Sequence, residues 1–144
     1  MKRAEQLQKL SREHHASLVM AKKYSDLAET GSEADFVEAI KELHEYNDKD
    51  LELHFQHEER TIFAVIFKKY QEHIPLAAPL LKEHGLIRLL ILQVTPESAK
   101  EDFSVFGDLL RDHTRVEERE LFPIIEKVFS DEELNAILDF KPLG

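Results

Sequence analysis

The sequence predicts an all-α protein: an up-down-up-down antiparallel four-helix bundle followed by a short C-terminal helix. Three observations support this fold class. Gly and Pro are scarce, at 4 and 5 residues of 144; helix-breaking segments recur at regular intervals; and apolar side chains between them recur with helical spacing. Short connections between long helices favour antiparallel neighbours. We expect residues 1–144 to form a single domain, because this length suits one hydrophobic core.

The helix boundaries follow from breaking and capping signals. Four long segments are predicted, over about 3–29, 33–70, 76–94 and 97–128. Ser32 with Asp35 matches a reciprocal capping pattern, and Ser130 with Glu133 repeats it before the short tail helix. The dipeptide Thr95-Pro96 is expected to begin the fourth segment, with Thr95 as the cap and Pro96 at the first helical position.

Composition excludes several kinds of partner. The chain has 29 acidic and 19 basic residues and a net charge of −10, which repels phosphate backbones and anionic membranes, so we expect no nucleic acid and no membrane partner. Cysteine is absent, which excludes disulfides, iron–sulfur clusters and thiolate metal sites. We find neither a secretory signal nor an apolar run of membrane-spanning length, and we expect a cytoplasmic protein.

Each helical segment places one histidine on the apolar stripe that should face the core. The four predicted stripes are Leu7, Leu10, His14, Leu18 and Ala21, with Ala28 further on; Phe36, Ile40, Leu43, Asn47, Leu51, His54, Glu58, Ile62 and Val65; Ala77, Leu80, His84, Ile87, Ile91 and Val94; and Phe103, Phe106, Leu110, His113, Glu117, Leu121, Ile124 and Val128. Two stripes also carry a glutamate four residues after the histidine, one turn further on the same face.

These polar residues on apolar stripes predict a metal site. A buried carboxylate is strongly unfavourable unless it is paired or bound to a metal, and the stripes contain no lysine or arginine. Mixed nitrogen and oxygen donors suit iron, zinc or manganese. The predicted metal ligands are His14, His54, Glu58, His84, His113 and Glu117.

Counting donors favours two metal ions. If both glutamates bridge two ions and each ion takes two histidines, each ion has four protein ligands. A bridging oxide or hydroxide adds a fifth, which leaves one position open in octahedral geometry. An open position is typical of reactive rather than structural sites.

Four motifs, one per helix and in order, resemble the hemerythrin-like, or HHE cation-binding, family. They are Leu10-Ser11-Arg12-Glu13-His14-His15, Leu53-His54-Phe55-Gln56-His57-Glu58-Glu59, Lys82-Glu83-His84 and Asp112-His113-Thr114-Arg115-Val116-Glu117-Glu118-Arg119-Glu120-Leu121-Phe122-Pro123. The resemblance covers roughly residues 7–128 and implies a non-haem centre of two iron ions bridged by carboxylates. It implies a protein that handles or senses dioxygen, nitric oxide, peroxide or iron. The alternative is a metal-stabilised helical sensor or interaction module without redox turnover.

The chain departs from the oxygen carriers of that family. The carriers have a second histidine four residues after the first on the third helix, where this chain has Arg88. In the last helix they have an aspartate five residues after the histidine, whereas here Glu117 comes four residues later and Glu118 takes the fifth place. The sequence is more similar to the four-histidine, two-glutamate branch, which includes iron-repair proteins of nitrosative stress and the iron-sensing domain of a ubiquitin-ligase subunit. Reversible dioxygen transport is therefore not expected.

Several residues near the motifs allow two interpretations. His14 and His15 cannot share a helix face, and His14 is preferred because Leu10 and Leu18 continue its stripe. Arg88 is either solvated or bound to a carboxylate, and Phe55 is a candidate wall of the metal pocket. The remaining residues are expected at the surface or rim, namely His44, His57 and His73, or in a solvated acidic face, namely Glu59, Glu118 and Glu120.

Overall fold

A computed structural model describes residues 2–142, in which all regular structure is helical. Five helices make up the fold, and short 3₁₀ turns precede the first and third of them. Their bounds are α1, Gln8–Thr30; α2, residues 33–69; α3, Ile74–Gln93; α4, residues 99–128; and α5, Asp131–Asp139. The predicted all-α class is confirmed. None of these helices combines the length and the apolar character needed to cross a membrane.

Two of the long helices alternate α-helical and π-helical turns. In α2, π turns at Asn47–Leu51 and Glu59–Phe63 interrupt the α-helical geometry, and in α4 a π turn lies at Glu117–Leu121. A π turn holds one more residue than an α-helical turn, so the side chains that follow it rotate to a new face. Two of the π turns begin at or directly after the glutamates of the predicted metal site.

Two π turns explain where the predicted apolar stripes of α2 and α4 are wrong beyond Glu58 and Glu117. After the π turn of α2 the core position is Ile66 instead of Val65, and after that of α4 it is Ile125 instead of Ile124. In α3, which has no π turn, all six predicted stripe residues are buried. The predicted stripe of α2 stays in the core past the first π turn, as far as Ile62, and fails only after the π turn that follows Glu58.

Two of the three helix starts that were predicted from capping patterns are confirmed. Ser32 and Asp35 cap each other at the start of α2, as do Ser130 and Glu133 at the start of α5. The third is wrong, because α4 begins at Ala99. The backbone N–H of Thr95 donates to the Ser98 hydroxyl at 2.9 Å, and the Ser98 N–H donates back to the Thr95 carbonyl at 3.1 Å. These bonds close a separate turn over the residues that were expected to be helical.

The hydrophobic core consists of two clusters, with the polar stripe residues between them. One cluster is built around Tyr24, Phe103 and Phe106, and the other around Phe63 and Phe122. The short helix α5 completes the second cluster with Leu134 and Ile137. Along every long helix, the histidine of the predicted site lies between residues of one cluster and residues of the other.

The first and fourth helices pack along most of their length, and Gly107 marks a close approach between them. A Cβ atom at this position would lie 2.1 Å from the Ser25 hydroxyl oxygen and 2.8 Å from the Ala21 carbonyl oxygen. Only a residue without a side chain fits between these helices without displacing backbone. This contact sets the spacing of the two helices that carry His14 and His113.

Candidate metal centre

The structure brings all six predicted ligand residues into one buried cluster. Their exposed fractions lie between 0% and 4%. They form two groups of four that share both glutamates, and within each group one donor atom per residue lies within 4.8 Å of the others. The groups are His14, His54, Glu58 and Glu117, and Glu58, His84, His113 and Glu117.

Glu58 directs its two carboxylate oxygens to different groups. Oε2 lies 3.2 Å from Nε2 of both His14 and His54, while Oε1 lies 3.2 Å from Nε2 of His84. This carboxylate therefore spans the two groups.

Glu117 spans the groups in the same way. Its Oε1 lies 2.8 Å from Nε2 of His14, and its Oε2 lies 3.0 Å and 3.5 Å from Nε2 of His113 and His84. Metal–ligand bonds of about 2.1 Å at right angles separate neighbouring donor atoms by about 3 Å. The spacing of the nitrogen and oxygen atoms thus fits donors that share a metal ion.

Unsatisfied polar atoms give an independent test of whether a cation fits. Four fully buried atoms in the cluster have no hydrogen-bond partner: Glu58 Oε1, His84 Nε2, His113 Nε2 and Glu117 Oε2. They come one from each member of the second group, and although they lie close together they are not aligned for hydrogen bonding. Buried polar atoms nearly always have a hydrogen-bond partner. Four buried nitrogen and oxygen atoms that lack one and lie close together therefore fit the ligand atoms of a bound cation.

The electrostatics of the chain alone keep the cluster charged. Burial opposes a charge on His113, but the Glu117 carboxylate outweighs it and raises the imidazole pKa to about 9. Burial and the nearby Glu58 favour a neutral Glu117, yet His113 and His14 hold its pKa at about 2. Against the same opposition from burial, the carboxylates raise the pKa of the other cluster histidines. Protons and a metal cation therefore compete for the same imidazole nitrogens.

A ring of outer carboxylates orients the four imidazoles. Each cluster histidine donates its Nδ1–H to a glutamate of a neighbouring helix at 2.8 Å, in the pairs His14–Glu118, His54–Glu13, His84–Glu59 and His113–Glu83. A proton on Nδ1 leaves Nε2 as the atom that can bind a metal, and Nε2 faces the two inner glutamates, Glu58 and Glu117. Such carboxylate–histidine pairs are typical of metal-binding imidazoles.

The ring corrects the prediction for two acidic residues. Glu59 and Glu118 were expected in a solvated face, but they accept hydrogen bonds from His84 and His14. The sequence reasoning also missed the roles of Glu13 and Glu83. All four are adjacent in sequence to an inner cluster residue, and this was the available signal. Glu120 is exposed, as predicted.

Other residues near the motifs are now placed. His14 is buried and His15 is exposed, in agreement with the preferred alternative. Phe55 stacks on His84 with ring centroids 3.9 Å apart and walls the cluster. Arg88 is bound to carboxylates: its guanidinium donates to Glu52 and Glu59.

The expectation for His57 is wrong. His57 is 2% exposed and its Nε2–H donates to the Ile137 carbonyl of α5, so it joins the C-terminal helix to α2. His44 is exposed, as expected, and donates from Nε2 to the Ile91 carbonyl of α3 at 3.1 Å. His73 is partly exposed, as expected of a rim residue. None of the three belongs to the cluster.

The fold and the cluster together define a class: an all-helical protein with a buried imidazole–carboxylate cluster suited to metal cations. The family model of the hemerythrin HHE cation-binding domain matches residues 6–125, and the chain belongs to this family. The resemblance identified from the motifs is thus confirmed. Neither the curated proteins nor the solved structures include a significant match.

Proposed function

We propose that the chain is a single-domain, dinuclear non-haem iron protein that handles or senses dioxygen, nitric oxide, peroxide or iron. His14 and His54 would hold one ion, His84 and His113 would hold the other, and Glu58 and Glu117 would contribute to both. The observation that carries the proposal is the orientation of the two glutamates, each of which directs one oxygen to each pair of imidazoles. A mononuclear site would not need two carboxylates that span two groups.

The proposed bundle has its long helices in up-down-up-down order. Supporting this, α1 and α3 run from the cluster of Phe63 and Phe122 toward that of Tyr24 and Phe103, while α2 and α4 run in the reverse direction. The outer carboxylate ring also connects each helix to the next and the fourth to the first. Four alternating helices bring four histidines to one level of the core.

Iron held by such donors supplies ligand binding and one-electron chemistry toward small molecules. The protein's own residues contribute orientation and protection. The outer glutamates keep the proton of each imidazole on Nδ1, and the inner glutamates hold negative charge where cations are to bind. Phe55 and Phe122 stack on His84 and His14 and exclude water from two of the four ligand rings.

Metal analysis tests this proposal most directly. Protein loaded anaerobically with ferrous iron and then desalted should retain about two iron atoms per chain, by the donor count of the two groups. Exposure to air should then produce visible absorption that changes when a small ligand is added. A ratio that saturates near one iron would contradict the dinuclear site. Two irons without ligand-sensitive absorption would instead favour the alternative, a metal-stabilised sensor or interaction module.

A further inference from the structure

We propose that Arg3 and Arg88 form a matched pair of positioning residues, each of which fixes the orientation of one ligand imidazole in a different half of the centre. Arg3 acts on His14 and Arg88 acts on His84. Each arginine reaches its histidine by two separate routes, a carboxylate and an aromatic ring. This inference rests on the proposed function, since it assigns the two arginines to the two metal positions.

The first route runs through the outer carboxylates. Arg88 donates from Nη1 and Nη2 to the two oxygens of Glu59 at 2.8 Å and 3.2 Å, and Glu59 accepts the Nδ1–H of His84. On the opposite side, Arg3 donates to Oε2 of Glu118 at 3.1 Å while Oε1 accepts the Nδ1–H of His14. Each arginine thus binds the carboxylate that accepts the Nδ1–H of its histidine.

The second route runs through the stacked rings. The Arg88 guanidinium carbon lies 5.3 Å from the centroid of Phe55, whose ring stacks on His84 at 3.9 Å. The Arg3 guanidinium carbon lies 5.7 Å from the centroid of Phe122, whose ring stacks on His14 at 5.0 Å. Both arginines lie within the range of a cation–π contact. Each imidazole is therefore fixed at its Nδ1 edge and on one face.

Each arginine is itself anchored by a second glutamate. Arg88 donates to both oxygens of Glu52, at 2.7 Å and 2.8 Å, and Arg3 donates to Glu126 at 2.8 Å. The side chains of Arg3 and Arg88 are 24% and 30% exposed, so the ion pairs are partly shielded from water. His54 and His113 have no equivalent arrangement among the contacts of residues 2–142, because Glu13 forms an ion pair with Lys9 but with no arginine, and Glu83 with neither lysine nor arginine. The two arginines thus act on one histidine in each half.

The test uses the variants Arg3→Leu and Arg88→Leu with Arg111→Leu as the matched control. Arg111 also pairs with two carboxylates, Asp108 and Asp112, but within residues 2–142 neither carboxylate is hydrogen-bonded to a cluster histidine. Arg3→Leu and Arg88→Leu should each release one of the two irons to a chelator up to about 10-fold faster than the wild type, since loss of the glutamate that bonds directly to the ligand histidine would cost about 10–100-fold. The control should release iron at the wild-type rate. Arg88→Lys should restore iron retention only in part, because lysine lacks the planar guanidinium that binds both oxygens of a carboxylate.

Imidazole NMR gives the readout that a general loss of stability would not produce. In protein labelled with ¹⁵N-histidine, Arg88→Leu should shift the Nδ1–H resonance of His84 and leave that of His14, and Arg3→Leu should do the reverse. Reciprocal shifts with faster release of a single iron support the pair. Unchanged resonances and release rates in both variants, or equal shifts of both histidines in each, would overturn it. If the wild type fails to retain two irons, the proposed function fails, while the reciprocal shifts in metal-free protein still decide the role of the arginines.

Discussion

Nδ1 of His14 lies 2.8 Å from Oε1 of Glu118, so a carboxylate on α4 fixes a ring that belongs to α1. The same ring directs Nε2 to the inner carboxylate of Glu117, also at 2.8 Å. The neighbouring His15 is exposed and takes no part in this arrangement. The contact therefore decides which of two adjacent histidines faces the cluster.

The first prediction follows from that contact. His14→Ala should retain about one iron per chain under conditions in which the wild type retains two, because one metal position loses half of its imidazoles. His15→Ala is the matched control and should retain the full amount. Iron content after desalting provides the measurement. Equal loss in both variants would show that the choice between the histidines is wrong.

The second prediction concerns metal removal and pH. The folded-state pKa of His113 is raised above 6.5 to about 9, so its contribution to stability is complete below pH 6.5 and is lost as pH rises through about 9. Chelated protein should therefore have a lower melting temperature at pH 9 than at pH 6.5.

The iron-loaded protein should show the opposite trend. Metal binding requires imidazoles that carry no proton on Nε2, so acid should release the iron and alkali should not. Melting temperatures of both forms, measured across pH 6 to pH 9 by circular dichroism, should thus change in opposite directions. Parallel curves for the two forms would contradict the assignment of the cluster as the metal site.

The third prediction concerns added ligands. Arg88 stands where oxygen carriers of the family have a fifth histidine, and it has no lone pair for a metal because its guanidinium stays protonated. Its contacts with Glu52 and Glu59 direct it to the outer carboxylates. Azide and nitric oxide should therefore change the visible spectrum of the iron-loaded protein. Air should oxidise it irreversibly, and reversible dioxygen binding that lasts for hours would refute this reasoning.

The fourth prediction concerns the contact between α1 and α4. Gly107→Ala places a methyl group 2.8 Å from the Ala21 carbonyl oxygen, and overpacking of this kind destabilises by about 1–3 kcal/mol. The gain in helix propensity, about 1 kcal/mol, offsets part of this. We expect a net destabilisation in urea unfolding.

Gly85 provides the control for that substitution. A Cβ atom at Gly85 meets nothing within 4 Å, so Gly85→Ala should stabilise the protein by up to about 1 kcal/mol through helix propensity alone. The two variants make the same chemical change in two helices. A stabilised Gly107→Ala variant would show that the two helices separate easily at this point.

The sequence by itself determined the helices and the inner cluster. A histidine on an otherwise apolar stripe is visible in a single helix, because the spacing of 3.6 residues per turn assigns each position to a face. His54 with Glu58, and His113 with Glu117, could therefore be placed in the core before any contact was known. The order of the four motifs, one per helix, identified the family resemblance.

Only the tertiary structure decided which carboxylates accept the Nδ1–H of the cluster histidines and which residues face the core after the π turns. Glu59 and Glu118 directly follow Glu58 and Glu117 in sequence, but this adjacency alone does not show that each accepts a hydrogen bond from a histidine of another helix. Arg3 reaches Glu118 across 115 positions of sequence, a distance over which helical periodicity carries no information. The π turns next to Glu58 and Glu117 shift the core positions that follow them in α2 and α4 by one residue, because a π turn holds one more residue than an α-helical turn.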